Sequence, residues 1–149
     1  MLPMRALRLS IGEAFAGDTA FLAPATANKI ALVVANFALT EDLVAGDLTL
    51  ASFTGSTPKS GASGAQEVGI NPLTGEQVLT ILAPAGGYRW ECTAAPTPSQ
   101  TVYGFALLDS TLADLLGLAL LDTPVNIANV GDFVDLGKVE MTIVMQPVS

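Results

Sequence analysis

The sequence predicts a mostly β fold: a single-domain antiparallel β-sandwich or jelly-roll/barrel-like closure with one or two short helical turns. Three observations predict it. Short runs rich in Val, Ile, Leu, Phe and Tyr recur along the chain, and Gly, Pro, Asn and Asp separate them. The stretch Tyr88-Arg-Trp-Glu-Cys-Thr93 alternates apolar and polar residues, the signature of a strand with one buried face. The chain has 149 residues, a length at which one domain buries roughly 70% of its unfolded surface.

Residues 1–24 open as an extended arm or a first strand. Arg5 and Arg8 precede apolar residues as in a secretory leader, but Glu13 and Asp18 interrupt before a continuous apolar core has formed. Lys29–Phe37 is rich in β-branched residues and reads as a strand, although periodicity alone does not separate such a run from a buried helix. Thr40-Glu-Asp-Leu-Val-Ala-Gly46 suits one helical turn, with Thr40 as its cap, Glu41 and Asp42 at its positive end and Gly46 to stop it. Asp47–Phe53 has the spacing of a short strand.

Residues 54–65 are a loop by composition, long enough to bind a partner. Gln66–Ile70 and Glu76–Leu82, joined through Asn71-Pro-Leu-Thr-Gly75, read as a β-hairpin, because Asn-Pro followed by Gly is turn chemistry. After the corner at Pro84–Gly87 comes the alternating strand, with Tyr88, Trp90 and Cys92 on its inner side. Gln100–Leu108 is the next strand, and Gly104 within it marks a bulge or a close contact beneath an aromatic ring. Asp109–Asp114 starts a helical turn or two; Leu115–Leu121 continues it or returns as a strand, and the strand is favoured because Asp122-Thr-Pro124 ends it like a sheet edge. Val125–Ile127, the turn at Asn129–Asp132 and the alternating strand Val139–Met145 complete the domain.

Composition narrows the function classes. Half the residues are apolar and 13% are charged, against about 25% in an average soluble chain. That apolar excess is more than one core of this size needs, so part of it is expected on a surface that something else covers. The apolar runs are too broken to span a bilayer. Formal net charge is −8 with six basic residues, which gives no basic stripe to displace counterions from phosphates or to meet anionic lipid. Neither nucleic acid nor membrane is an expected partner; a basic or mixed protein surface is.

The chain contains no histidine, so it lacks the commonest general base near neutral pH and the commonest nitrogen ligand for metals. Cys92 is the sole cysteine, which rules out an internal disulfide and a thiolate cluster, and its aromatic surroundings suit an inert buried thiol. The pairs Glu41/Asp42, Asp132/Asp135 and Glu13/Asp18 are weighed as acid–base partners of a glycosidase, and read better as solvated turns. The spacing of Asp132 and Asp135 lacks the acidic density of a calcium loop. Gly55, Gly61 and Gly64 do not sit between a strand and a helix as a phosphate-binding loop requires. Tyr88, Trp90 and Tyr103 would suit a sugar-stacking platform, but the alternation favours core packing. No catalytic residue, cofactor or metal is expected.

Four strings carry a resemblance: Asn28-Lys-Ile-Ala-Leu-Val-Val-Ala-Asn-Phe37; Leu43-Val-Ala-Gly-Asp-Leu-Thr-Leu-Ala-Ser-Phe-Thr-Gly55; Gln100-Thr-Val-Tyr-Gly-Phe-Ala-Leu-Leu-Asp109; and the Pro124–Asp132 stretch ending in Gly-Asp. Together the chain resembles a family of small phage and metagenomic virion structural proteins. It departs at Phe105, where that family's pattern has Tyr, and in its leucine-rich 115–121 segment. The resemblance implies a capsid decoration (cement) protein or a tail or fibre component, made in the host cytoplasm and carried on the virion. The expected partners are the major capsid protein or other virion proteins, and further copies of the chain in a homo-oligomer, dimer or trimer. The alternative it implies is a carbohydrate- or receptor-binding module of a tail or fibre. Candidate subunit contacts are Leu2, Leu7, Leu9 and Phe15 in the arm, the 54–65 loop, and Leu115, Leu116, Leu118, Leu120 and Leu121.

Overall fold

The computed structural model describes residues 2–3, 29–40, 42–60, 66–70, 77–82, 87–109 and 111–143. Within them the chain is mostly β, and every strand pairing is antiparallel. The strands in chain order are β1 (Leu2–Pro3), β2 (Lys29–Val33), β3 (Lys59–Ser60), β4 (Gln66–Ile70), β5 (Gln77–Leu82), β6 (Tyr88–Glu91), β7 (Gln100–Leu108), β8 (Leu115–Ile127), β9 (Phe133–Leu136) and β10 (Lys138–Ile143). They form a five-stranded sheet in the order β1-β8-β7-β2-β3, a three-stranded sheet β10-β5-β4, and a two-stranded sheet β6-β9.

The long β7–β8 hairpin and β2 make the centre of the largest sheet, and both faces of that centre are buried. Ile30, Leu32, Val102, Leu107 and Ile127 face one way, into a cluster completed by Phe53 and by Tyr88, Trp90, Cys92, Val134 and Leu136. Ala31, Val33, Ala106, Leu108, Leu115 and Leu118 face the other way, where Phe37, Leu43, Ala45, Leu48 and Leu50 of the following segment cover them. Burial on both faces is why Ile30–Val33 is apolar without alternation; the strand ends at Val33, short of the expected Phe37, and Asn36 is exposed. The β6–β9 pair is buried on one face only, so β6 keeps the strict alternation that the sequence shows.

Trp90 is the centre of the first cluster. It is fully buried, with the Tyr88 ring 6.3 Å away, centroid to centroid. Its indole N–H donates to the carbonyl of Thr57 at 3.0 Å, so the one polar atom of the ring is satisfied. Removing a ring of roughly 200 Å² from water contributes about 5 kcal/mol of transfer free energy. The Thr57 contact also ties the start of the 54–65 segment to the core. Ser56 is buried beside it and donates its hydroxyl to the Ala51 carbonyl.

Several elements depart from the sequence-based expectation. The helical turn is a 3-10 turn at Ala45–Asp47, which overlaps only the end of the expected Thr40–Gly46. Its acid is Asp47, whose carboxylate accepts the Val44 N–H at 3.0 Å while its own N–H donates to the Val44 carbonyl. Val44, not Thr40, is the residue that precedes the turn as its N-cap, and Thr40 is exposed five residues before the turn begins. Asp47–Phe53 is not a strand of a sheet. It runs beside the end of β2 through a single bridge, Val33 to Leu50, with the Val34 N–H donating to Thr49 and the Ala51 N–H to Leu32. The 54–65 stretch is not wholly loop, since Lys59–Ser60 pairs with β2.

β8 does not end at Asp122-Thr-Pro124. It continues to Ile127, and the ladder with β7 breaks between Gly104↔Leu120 and Val102↔Val125. Residues 121–124 of β8 thus stand opposite Tyr103 alone. Proline cannot donate to a ladder, and the bulge is where its missing N–H is tolerated. Gly104 lies at the edge of the same irregularity. A β-carbon on it would stand 2.2 Å from the Ala119 carbonyl oxygen, so the close contact here is with the backbone of β8 and not with an aromatic ring. The expected helical turn at Asp109–Asp114 is a hydrogen-bonded hairpin turn, closed by the Asp109 N–H donating to the Asp114 carbonyl. The hairpin expected from Gln66 to Leu82 is present as β4 and β5 in register.

Candidate functional site

The β6–β9 sheet presents its second face to solvent. On β6 the outward residues are Arg89 and Glu91, and on β9 they are Phe133 and Asp135; Arg89 stands opposite Asp135, and Glu91 opposite Phe133. The Arg89 guanidinium lies 3.8 Å above the centroid of the Phe133 ring. Its Nε donates to Glu91 at 3.2 Å and its Nη1 to Asp135 at 3.0 Å. Two carboxylates and one aromatic face thus fix the cation, whose long side chain would otherwise be mobile. These ion pairs are about half exposed, so solvent screens them and they add little to stability. What they supply is order. Phe133 remains 45% exposed, an aromatic ring held out from a rigid strand pair.

The turn that feeds β9 is equally fixed. The Asp132 carboxylate accepts the N–H of Ala128 at 2.8 Å and of Asn129 at 2.7 Å. Those two donors, together with the Asn129 side chain, hold its pKa below the ordinary value against the opposing effect of partial desolvation. Gly131 has a φ of +92° and donates its N–H to the Cys92 carbonyl, while Cys92 donates to Asp132. Val130, at the tip of this turn, is 65% exposed.

A second fixed turn joins β7 to β8. Partial desolvation pulls the Asp109 carboxyl upward, but the Asp114 N–H, the Thr111 hydroxyl and N–H, and the Ala113 N–H outweigh it and lower its pKa to about 2. Leu112 in this turn adopts a φ of +63° and lies exposed.

The sequence-predicted contact residues fall in different settings. Leu115 and Leu118 belong to the chain's own second cluster and are buried, which removes them from any free surface. They alternate with Leu116, which packs half-buried against the first cluster, as does Leu121. Leu120 alone of the five is exposed, at 45%. Leu2 belongs to β1 and pairs through its backbone with Leu118. Leu7, Leu9 and Phe15 lie outside the described residues, as do Glu13, Asp18, Glu41, Gly61 and Gly64. The first part of the 54–65 loop is bound to the fold: Gly55 abuts the Glu91 carbonyl, Trp90 bonds Thr57, and Lys59 and Ser60 pair with β2.

Of the three rings weighed as a sugar platform, Tyr88 and Trp90 are inside the core and Tyr103 is half-buried on β7. The carboxylates weighed as an acid–base pair are otherwise engaged, Asp132 by backbone donors and Asp135 by Arg89. Gly55 serves close packing, because its φ is +109° and a β-carbon would stand 1.9 Å from the Glu91 oxygen. Cys92 is buried and directs its Sγ at the Ala94 carbonyl. Among the described residues, no helix is long and apolar enough to cross a membrane.

Phe133 is the surface residue that sequence reasoning missed, along with the strand that carries it. The signal was present in Phe133-Val-Asp-Leu136, which alternates like Tyr88–Thr93. It was obscured because the aromatic residue occupies the outward phase and Val134 and Leu136 the inward one. No family model, curated protein or solved structure matches the chain.

Proposed function

We propose that this chain is a virion structural subunit of the capsid decoration, or cement, type, which binds the major capsid protein and stabilises the head. The observation that carries this reading is the exposed Phe133 ring on a pre-ordered β face, with Arg89 stacked on it and the Glu91 and Asp135 carboxylates at its flanks. Aromatic and arginine side chains are the residues that most often dominate protein–protein interfaces. A side chain that is already immobile loses less entropy on binding. Val130 and Leu120 add exposed apolar area to the same molecule.

The particle assignment rests on the resemblance. The four strings that carry it fall on β2, on the segment that covers its second face, on β7, and on the end of β8 with its turn. The mechanism is physical. Apolar area leaves water across subunit joints at about 25 cal/mol per Å², and a partner that binds the closed shell and not the open one raises the cost of opening.

Light scattering on the purified protein, followed by co-sedimentation with capsids of the parent particle, tests the reading. Self-association together with saturable capsid binding is the expected result. A monomer at high concentration that leaves the capsids bare overturns it. The carbohydrate- or receptor-binding alternative is weakened by the burial of Tyr88 and Trp90; glycan binding lost on Tyr103→Ala would revive it.

A further inference from the structure

We draw no further inference here: the strongest candidate, the outer edge of β8 from Ala119 to Ile127, which no described strand pairs and on which Leu120 is exposed, carries Asp122 and Pro124 against strand addition, and nothing in the structure shows what covers it.

Discussion

Gly55 lies so close to Glu91 that a β-carbon on the glycine would stand 1.9 Å from the Glu91 carbonyl oxygen. The contact belongs to a small backbone junction. The Thr93 N–H donates to the Thr54 carbonyl, Thr54 bridges to Ala94, and Trp90 reaches Thr57 just beyond. The 54–57 segment is thereby held against β6 and seals one side of the tryptophan. Gly55→Ala combines a backbone clash with a φ of +109° that alanine resists. A loss of about 3 kcal/mol or more in urea unfolding is expected. Gly46→Ala is the control, since its β-carbon would meet nothing within 4 Å, and a change within about 0.5 kcal/mol is expected for such a surface site. Equal effects at the two glycines would contradict the junction.

Trp90→Phe keeps an aromatic ring but leaves the Thr57 carbonyl without its donor and opens space in the first cluster. The expected cost is about 2–4 kcal/mol, combining the cavity with the lost bond. Denaturant midpoints of the two proteins measure it. A cost below about 1 kcal/mol would mean that the indole N–H finds no essential partner in the fold.

Asp109 sets a pH dependence whose sign follows from its lowered pKa. In the folded chain it titrates at about 2, against an ordinary value of 3.8. Stability from its charged form is therefore fully present above about pH 4 and fades as pH falls towards 2. Asp109→Asn should destabilise the protein at pH 6, and the gap from the parent should close as pH approaches 2. A gap that is constant across this range would assign the effect to geometry alone.

The Arg89–Phe133 face separates binding from stability. Phe133→Ser and Arg89→Ala alter a solvent-facing ring and a screened ion pair, so each should shift unfolding by less than about 1 kcal/mol. Binding to capsids should weaken at least tenfold for Phe133→Ser, the scale of an interface residue worth about 1.4 kcal/mol. Leu118→Ser provides the contrast. Its side chain is in the core, so it should lose stability first, through a buried hydroxyl and a cavity. Unchanged capsid binding by Phe133→Ser removes this face from the proposed interface.

What the sequence makes legible depends on how many faces of an element are buried. β6 is buried on one, so Tyr88, Trp90 and Cys92 stand out against Arg89, Glu91 and Thr93. β2 is buried on both, so Ile30 through Val33 reads as apolar without a phase, and a buried helix would read the same way. The contact surface was harder. Five leucines between 115 and 121 suggested an apolar exterior, yet Leu115 and Leu118 go to one core, Leu116 and Leu121 lean on the other, and only Leu120 is left out. The 3-10 turn starts later than expected because its N-cap is Val44, whose N–H the Asp47 carboxylate accepts, and not Thr40.

The interruption in the β7–β8 ladder gives the hairpin a store of slack. Four residues, 121–124, lie against Tyr103, and pairing is in step again at Val125 on one side and Leu120 on the other. The lengths of ladder on either side of this interruption are therefore aligned independently, and a second, smaller shift lies between Leu107 and Leu108. A one-residue insertion or deletion between Leu121 and Pro124 can be absorbed there, whereas the same change between Gly117 and Leu120, where the ladder is regular, would put the residues on one side of it out of phase with β7.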